Sequence, residues 1–289
     1  MSITITGGIT VDGAGWTISP PPPPTGQQAF TTLGSNSFTV PTNVTTICAV
    51  CIGPGSSSSA GGGGGALRYI NNLPVTPGET LEVFVGWSDF YGGSRDTYIK
   101  RSTNVLVYAG GGGIYGSYNY LGGTAGSTIG AGPYGGTVGG GNGGDAGGDL
   151  TGGGGGGAGG YSGNGGKGGG NSYSPSAGTG GGGGGGGKGS TSPGGGGGGG
   201  TGLLGEGTSG TAGSNGFYAS GGDGGSSGNA GQTSQYNVGA NGGTYGGGGG
   251  GGGQNAQYTV YYSGQPAQGA ARIIWGPNRA FPSTNTGDL

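Results

Sequence analysis

Histidine is absent from the 289 residues, and charged side chains are scarce: ten Asp and Glu, eight Lys and Arg, a formal net charge of −2. Without histidine the commonest general acid–base group is missing, and the few carboxylates are scattered, so most enzyme mechanisms are disfavoured. The charge excludes a basic nucleic-acid-binding protein and is too small for a charge-extended disordered chain. No run of 18 or more apolar residues occurs, which excludes a transmembrane helix. Two cysteines, Cys48 and Cys51, cannot build a disulfide framework. The opening MSITITGGITVDGAGW lacks the basic and apolar regions of a secretory signal peptide, so synthesis in a cytoplasm without general secretory export is expected. Hydrophobic residues are only 28% of the chain, too few for one large core.

Glycine is abundant, with 94 residues, and it is unevenly spread. Residues 110–253 hold 73 of the glycines, residues 26–109 hold 13, and residues 254–289 hold four. This divides the chain into five parts. Residues 1–25 alternate loosely in the strand period and end in Pro20–Pro24, a stiff polyproline II spacer roughly 15 Å long. They read as an attachment segment. Residues 26–109 read as the first part of a small β-sandwich, with an open barrel as the other form such a pattern allows, on short runs at Ala29–Leu33, Ser37–Val40, Thr45–Ile52, Ala66–Ile70, Thr80–Trp87, Asp96–Lys100 and Asn104–Tyr108. Residues 110–253 are a glycine-rich insertion. Residues 254–276 supply closing strands, at Gln257–Tyr262 and Ala270–Trp275. The latter is too apolar for a tail, and the only sheet it can join lies before residue 110. Residues 277–289 are expected to be an extended tail. No 3.6-residue apolar period occurs, so the expected class is all-β with essentially no α-helix.

Four forms can be weighed for the insertion. Collagen needs glycine at every third place with abundant proline, and fails. RGG-type RNA binding fails because no arginine lies between Arg101 and Arg272. A flexible linker of this length does not return to the sheet it left. The remaining form is a bundle of polyglycine II helices with three residues per turn. Ordering a backbone costs roughly 1–2 kcal/mol per residue and a hydrogen bond returns about 1 kcal/mol, so a lone helix is lost and many helices bonding sideways are required. The larger side chains between the runs would then be turns at the two ends of the bundle.

Most motif-like matches are empty. Cys48-Ala49-Val50-Cys51 has the CxxC spacing, but on a β-branched strand its cysteines face opposite ways and serve packing. Gly182–Gly187 before Lys188 nearly spells a phosphate loop, but Gly189 stands where Ser or Thr is needed. Asp145 and Asp149 have no third acidic neighbour and read as solvated turns. No catalytic, cofactor-binding or metal-ligating residue is therefore expected. The aromatics of the insertion are more informative, because Tyr gives rigid amphipathic contact area at low entropy cost. Sealing of the bundle ends, receptor contact and subunit contact are all open to them.

Phe38-Thr39-Val40-Pro41, Ile47–Gly53, Pro74–Leu81 and the closing Gly269–Pro282 resemble glycine-rich tail and tail-fibre proteins of tailed bacteriophages of marine and cyanobacterial type. The glycine region resembles the polyglycine II sandwich of tail-fibre tip adhesins. The resemblance implies a non-enzymatic virion structural protein in the tail or tail fibre. It implies a homotrimer, attachment to other virion proteins through the N-terminal segment, and receptor contact through aromatic loops to a host-surface glycan or outer-membrane protein. The candidate contact residues are Tyr115, Tyr118, Tyr120, Tyr134, Tyr173, Phe217, Tyr218 and Tyr236. No cofactor, nucleic acid or membrane insertion is implied. The alternatives are a glycine-rich extracellular or filament-forming protein outside any virion, and an ice-binding bundle, which the irregular spacing of Thr124, Thr128, Thr137, Thr151 and Thr179 disfavours.

Overall fold

The computed structural model describes residues 9–12, 15–18, 24–88, 95–113, 128–129, 137–148, 152–190, 194–253 and 262–287. It is all-β, with a 3₁₀ turn at Thr284–Thr286 as the helical element among the described residues. In chain order the strands are β1 (Ile9–Asp12), β2 (Gly15–Ile18), β3 (Gly26–Phe30), β4 (Gly34–Thr39), β5 (Thr46–Ile52), β6 (Leu67–Pro74), β7 (Thr80–Val85), β8 (Thr97–Arg101), β9 (Asn104–Ala109), β10 (Thr128–Ile129), β11 (Thr137–Gly139) and β12 (Ala270–Trp275). Two antiparallel five-stranded sheets form a sandwich, ordered β10-β9-β8-β7-β4 and β11-β6-β5-β12-β3. The closing strand β12 lies inside the second sheet, between β5 and β3. The expected return of Ala270–Trp275 to a sheet formed before residue 110 is therefore what occurs.

Strand β7 follows the two-residue rule: Leu81, Val83 and Val85 are buried while Glu82 and Phe84 are half-buried. Strand β5 does not, because both of its faces are covered, and such strands read as continuous apolar runs. Ile47, Ala49 and Cys51 face the core between the sheets with Phe38, Leu81, Val83, Ile99, Leu106 and Ile273. Cys48, Val50 and Ile52 belong to a second cluster with Leu67, Tyr69, Ala270 and Ile274, closed by Tyr161, Leu203 and Phe281. The cysteines thus do face opposite ways, and burial raises both thiols above their ordinary range, which leaves them poor nucleophiles.

The cover of that second cluster corrects one expectation. Residues 277–287 are not an extended tail. They fold back on the second sheet, where Phe281 stacks on Tyr161 at 5.7 Å and its backbone exchanges hydrogen bonds with the Asn71 amide. Arg279 donates to Gly26 O and to Gln27 Oε1, and Arg272 donates to Leu203 O and, with Arg279, to Gly287 O. The physical reason is the apolar outer face of the second sheet, which needs a lid.

The glycine runs bond sideways with a repeat of three. In segment 152–160, the N–H groups of Gly154, Gly157 and Gly160 donate to Gly169, Gly166 and Gly163. Those of Gly155 and Ala158 donate to Gly196 and Gly199, and those of Gly156 and Gly159 to Gly62 and Gly65. Its carbonyls accept from 144–147, 183–186 and 248–251, so this one segment touches six others. Segments 182–188 and 194–202 are surrounded in the same way. The network does not stop at the boundaries 110 and 253 read from composition. It takes in 53–57 and 61–66, which continue β5 and β6, and 264–268, which leads into β12.

Bond order gives each segment a direction. Segment 53–57 leaves β5 and 61–66 returns to β6, so residues 58–60 mark the end remote from the sandwich. Segment 152–160 runs parallel to 62–65, which brings the next turn, with Tyr161, down onto the second sheet. Alternating segments then place Leu203 at the near end and residues 171–174, 217–218 and 235–238 at the far end.

Candidate binding surface

Four of the candidate residues, Tyr115, Tyr118, Tyr120 and Tyr134, lie outside the described residues. The other four occupy far-end turns. Phe217 and Tyr218 form the turn between segments 208–216 and 219–225. Its base is tied by Ser214 N–H to Ser220 Oγ at 2.7 Å and by Lys188 N–H to Asn215 Oδ1 at 2.7 Å. Tyr236 and Asn237 form the tip of a tight turn in which Gln235 and Val238 exchange backbone bonds. Asn237 supplies the positive φ of 61° that such a tip requires.

The two turns are fastened to each other. Ala219 N–H donates to Ser234 Oγ and Ser234 N–H to Ala219 O, both at 2.9 Å. That fixes the Phe217 ring edge-on to Tyr218 at 4.9 Å and 6.3 Å from Tyr236. All three stay open to solvent, at 52%, 59% and 57% exposure. Gly239 N–H donates to Tyr262 O, which adds exposed Val238 and Tyr262 to the same end. Tyr262 was missed from sequence, where Gln257–Tyr262 reads as a closing strand; residues 257–261 lie outside the described residues.

Tyr173 differs. It stands on a separate turn, paired to Gly170, with Lys167 Nζ 4.0 Å from its ring centre and its hydroxyl donating to Gly147 O at 2.5 Å. One face and the hydroxyl are already engaged, so it braces the turn. Tyr161, at the near end, is fully buried and its hydroxyl donates to Gly202 O and accepts from Gly205 N–H. Among the described aromatics of the insertion, Tyr161 seals at the sandwich while Phe217, Tyr218 and Tyr236 are exposed at the far side.

Two other places are less open to a partner. On the outer face of the first sheet Trp87, Phe84 and Tyr98 stack in a row. Arg95 covers the Trp87 ring and Lys100 lies over Tyr98, so the ring faces are occupied from within. A cavity of about 480 Å³ beside the start of β5 is lined by Val44, Thr46, Asn72, Asn278, Arg279 and neighbours, and its lining holds no carboxylate, imidazole or thiol to activate the Thr45 and Thr46 hydroxyls. Among the described residues no three His, Cys, Asp or Glu side chains gather as a metal site. Among the described residues the far-end surface offers a partner exposed ring faces for stacking, with the Tyr218, Tyr236 and Tyr262 hydroxyls for hydrogen bonds. No protein-family model and no curated protein sequence matches the chain.

Proposed function

We propose that this chain is a non-enzymatic structural protein of a tailed-phage virion, a tail or tail-fibre component that assembles as a homotrimer and touches the host surface with its far-end aromatic turns. The observation that carries the reading is the trio Phe217, Tyr218 and Tyr236, exposed on two turns that are bonded together at the end remote from the sandwich. A side chain of that size is usually buried, and an exposed rigid cluster of them marks a contact surface. We also read the glycine segments as polyglycine II helices, because a donor that returns to the same neighbour every third residue follows from three residues per turn. A stiff bundle holds the turns in fixed register, which lowers the ordering cost of binding.

Mass spectrometry of purified virions tests the assignment, and absence of the chain from virions would overturn it. The contact role is tested by competition. Purified wild-type protein should slow phage adsorption to host cells, and a Phe217→Ala, Tyr218→Ala, Tyr236→Ala variant should lose at least about tenfold in potency, the loss expected when a few anchoring aromatics are truncated. Periodate-treated and protease-treated cells would separate a glycan from a protein receptor.

A further inference from the structure

Four Asn-Gly pairs occur in the chain, at 142–143, 164–165, 215–216 and 241–242. Three of them repeat one arrangement. Asn164 Oδ1 accepts from Asn142 N–H at 2.9 Å while Gly165 N–H donates to Asn142 O at 2.9 Å. Asn215 Oδ1 accepts from Lys188 N–H at 2.7 Å while Gly216 N–H donates to Lys188 O at 3.0 Å. Asn241 Oδ1 accepts from Gln265 N–H at 2.7 Å while Gly242 N–H donates to Gln265 O at 2.9 Å. Each pair thus clasps both backbone groups of a single residue on the neighbouring segment. Asn142, the grasped residue of the first clasp, itself begins the fourth pair.

Asn-Gly is also the dipeptide most prone to spontaneous deamidation, because a following glycine has no Cβ to hinder ring closure. In that reaction the glycine nitrogen loses its proton and bonds to the asparagine Cγ. The bond from Cγ to the side-chain nitrogen breaks, and ammonia leaves. Water then opens the five-membered imide to aspartate or isoaspartate. A clasp holds both groups that must move. The glycine N–H is engaged by a carbonyl oxygen on another segment, and the asparagine amide is fixed through its Oδ1. Exclusion of water is not the protection, since Asn164 and Asn215 are exposed. We infer that Asn164, Asn215 and Asn241 are deamidation sites closed by their clasps, which react only when the clasp opens. The clasp at Asn215 stands at the foot of the turn that carries Phe217 and Tyr218. Isoaspartate there would route the main chain through the side-chain carbon and displace that turn. The clasps act in this way whatever partner the far-end surface takes.

Peptide mapping by mass spectrometry of the full chain, aged in mildly alkaline buffer, tests this. Because two hydrogen bonds must open together, each site is expected to deamidate at least about tenfold more slowly in the folded chain than in guanidinium chloride. Equal rates in the two conditions would overturn the shielding. Gln265→Pro separates the clasp from general rigidity. Proline lacks the N–H that Asn241 Oδ1 accepts, keeps the carbonyl that Gly242 N–H needs, and has the φ of an extended three-residue helix. In the folded variant Asn241 is expected to deamidate at least about threefold faster, for one lost hydrogen bond, with Asn164 and Asn215 unchanged. An unchanged rate at Asn241 would overturn the role of the clasp. Asn142→Pro makes the same deletion at Asn164 and answers the question if Gln265→Pro fails to fold.

Discussion

At the residue scale the fold is decided by which positions can hold a Cβ. A Cβ built on Gly183 would lie 2.1 Å from Gly199 O and 2.5 Å from its carbonyl carbon, where no atom fits. Gly183 also donates to Ala158 O and accepts from Gly166 N–H, so displacement would break bonds to two further segments. Gly183→Val is expected to cost about 3 kcal/mol or more through overpacking and lost hydrogen bonds. At Gly216 an added Cβ meets nothing within 4 Å, and Gly216→Ala should stay within about 0.5 kcal/mol of the wild type. Chemical denaturation of the two variants measures the contrast, and equal midpoints would contradict the interlocked network. Part of this is legible in the sequence. Exposed non-glycine residues recur at three-residue spacing, as in Asn164 and Lys167, Ser176 and Thr179, and Thr208, Thr211 and Ser214. Such pairs mark segments on the rim, where Asn142 N–H donates to Asn164 Oδ1, Asn164 N–H to Thr179 Oγ1 and Lys167 N–H to Ser176 Oγ.

At the element scale, strands with one solvent face announced themselves, β7 most clearly. The role of β12 was also legible, because Ala270–Trp275 is apolar enough to demand a sheet. The tail was not legible. Phe281 looks like an isolated aromatic in a polar segment until the outer face of the second sheet is known to be apolar, with Tyr69 and Tyr161 waiting at 6.0 and 5.7 Å. The candidate surface was half legible for the same reason. Composition picked out Phe217, Tyr218 and Tyr236, but their meeting depends on bonds between Ala219 and Ser234, on segments whose adjacency no local pattern encodes. Since Phe281 closes the second cluster, Phe281→Ala should cost about 3 kcal/mol, as large-to-small changes at buried aromatics do. A thermal melt reads this, and a shift below about 2 °C would mean that the tail is not part of the fold's support.

At the scale of the whole molecule, sandwich and glycine network are expected to unfold as one body, because 53–57, 61–66 and 264–268 belong to the network while running straight into β5, β6 and β12. Tyr161 sits at that junction, fully buried between the Tyr69 and Phe281 rings. Burial is the largest influence on its hydroxyl and holds it protonated well above the ordinary tyrosine value near 10. Burial raises Tyr69 and Tyr108 too, helped at Tyr69 by Glu206 and at Tyr108 by the hydrogen bond to Asp96. The sign follows from proton counting. Below pH 10 folded and unfolded states are both protonated at these groups, and their contribution is constant. Above it the unfolded chain releases protons that the folded chain retains, so stability falls as pH rises. Tyr161 alone should remove on the order of 1 kcal/mol by pH 11, one pH unit beyond its unfolded value. With no histidine in the chain, no imidazole titrates between pH 6 and 8. The melting temperature is therefore expected to decline steeply above pH 10. Tyr161→Phe should begin lower, since Gly202 O and Gly205 N–H lose their partner, yet decline less steeply beyond pH 10. Near-ultraviolet circular dichroism of the sandwich aromatics and hydrogen exchange of the glycine amides, followed through the same alkaline transition, should move together. Glycine amides that exchange freely while the sandwich signal persists would show two bodies where the shared segments call for one.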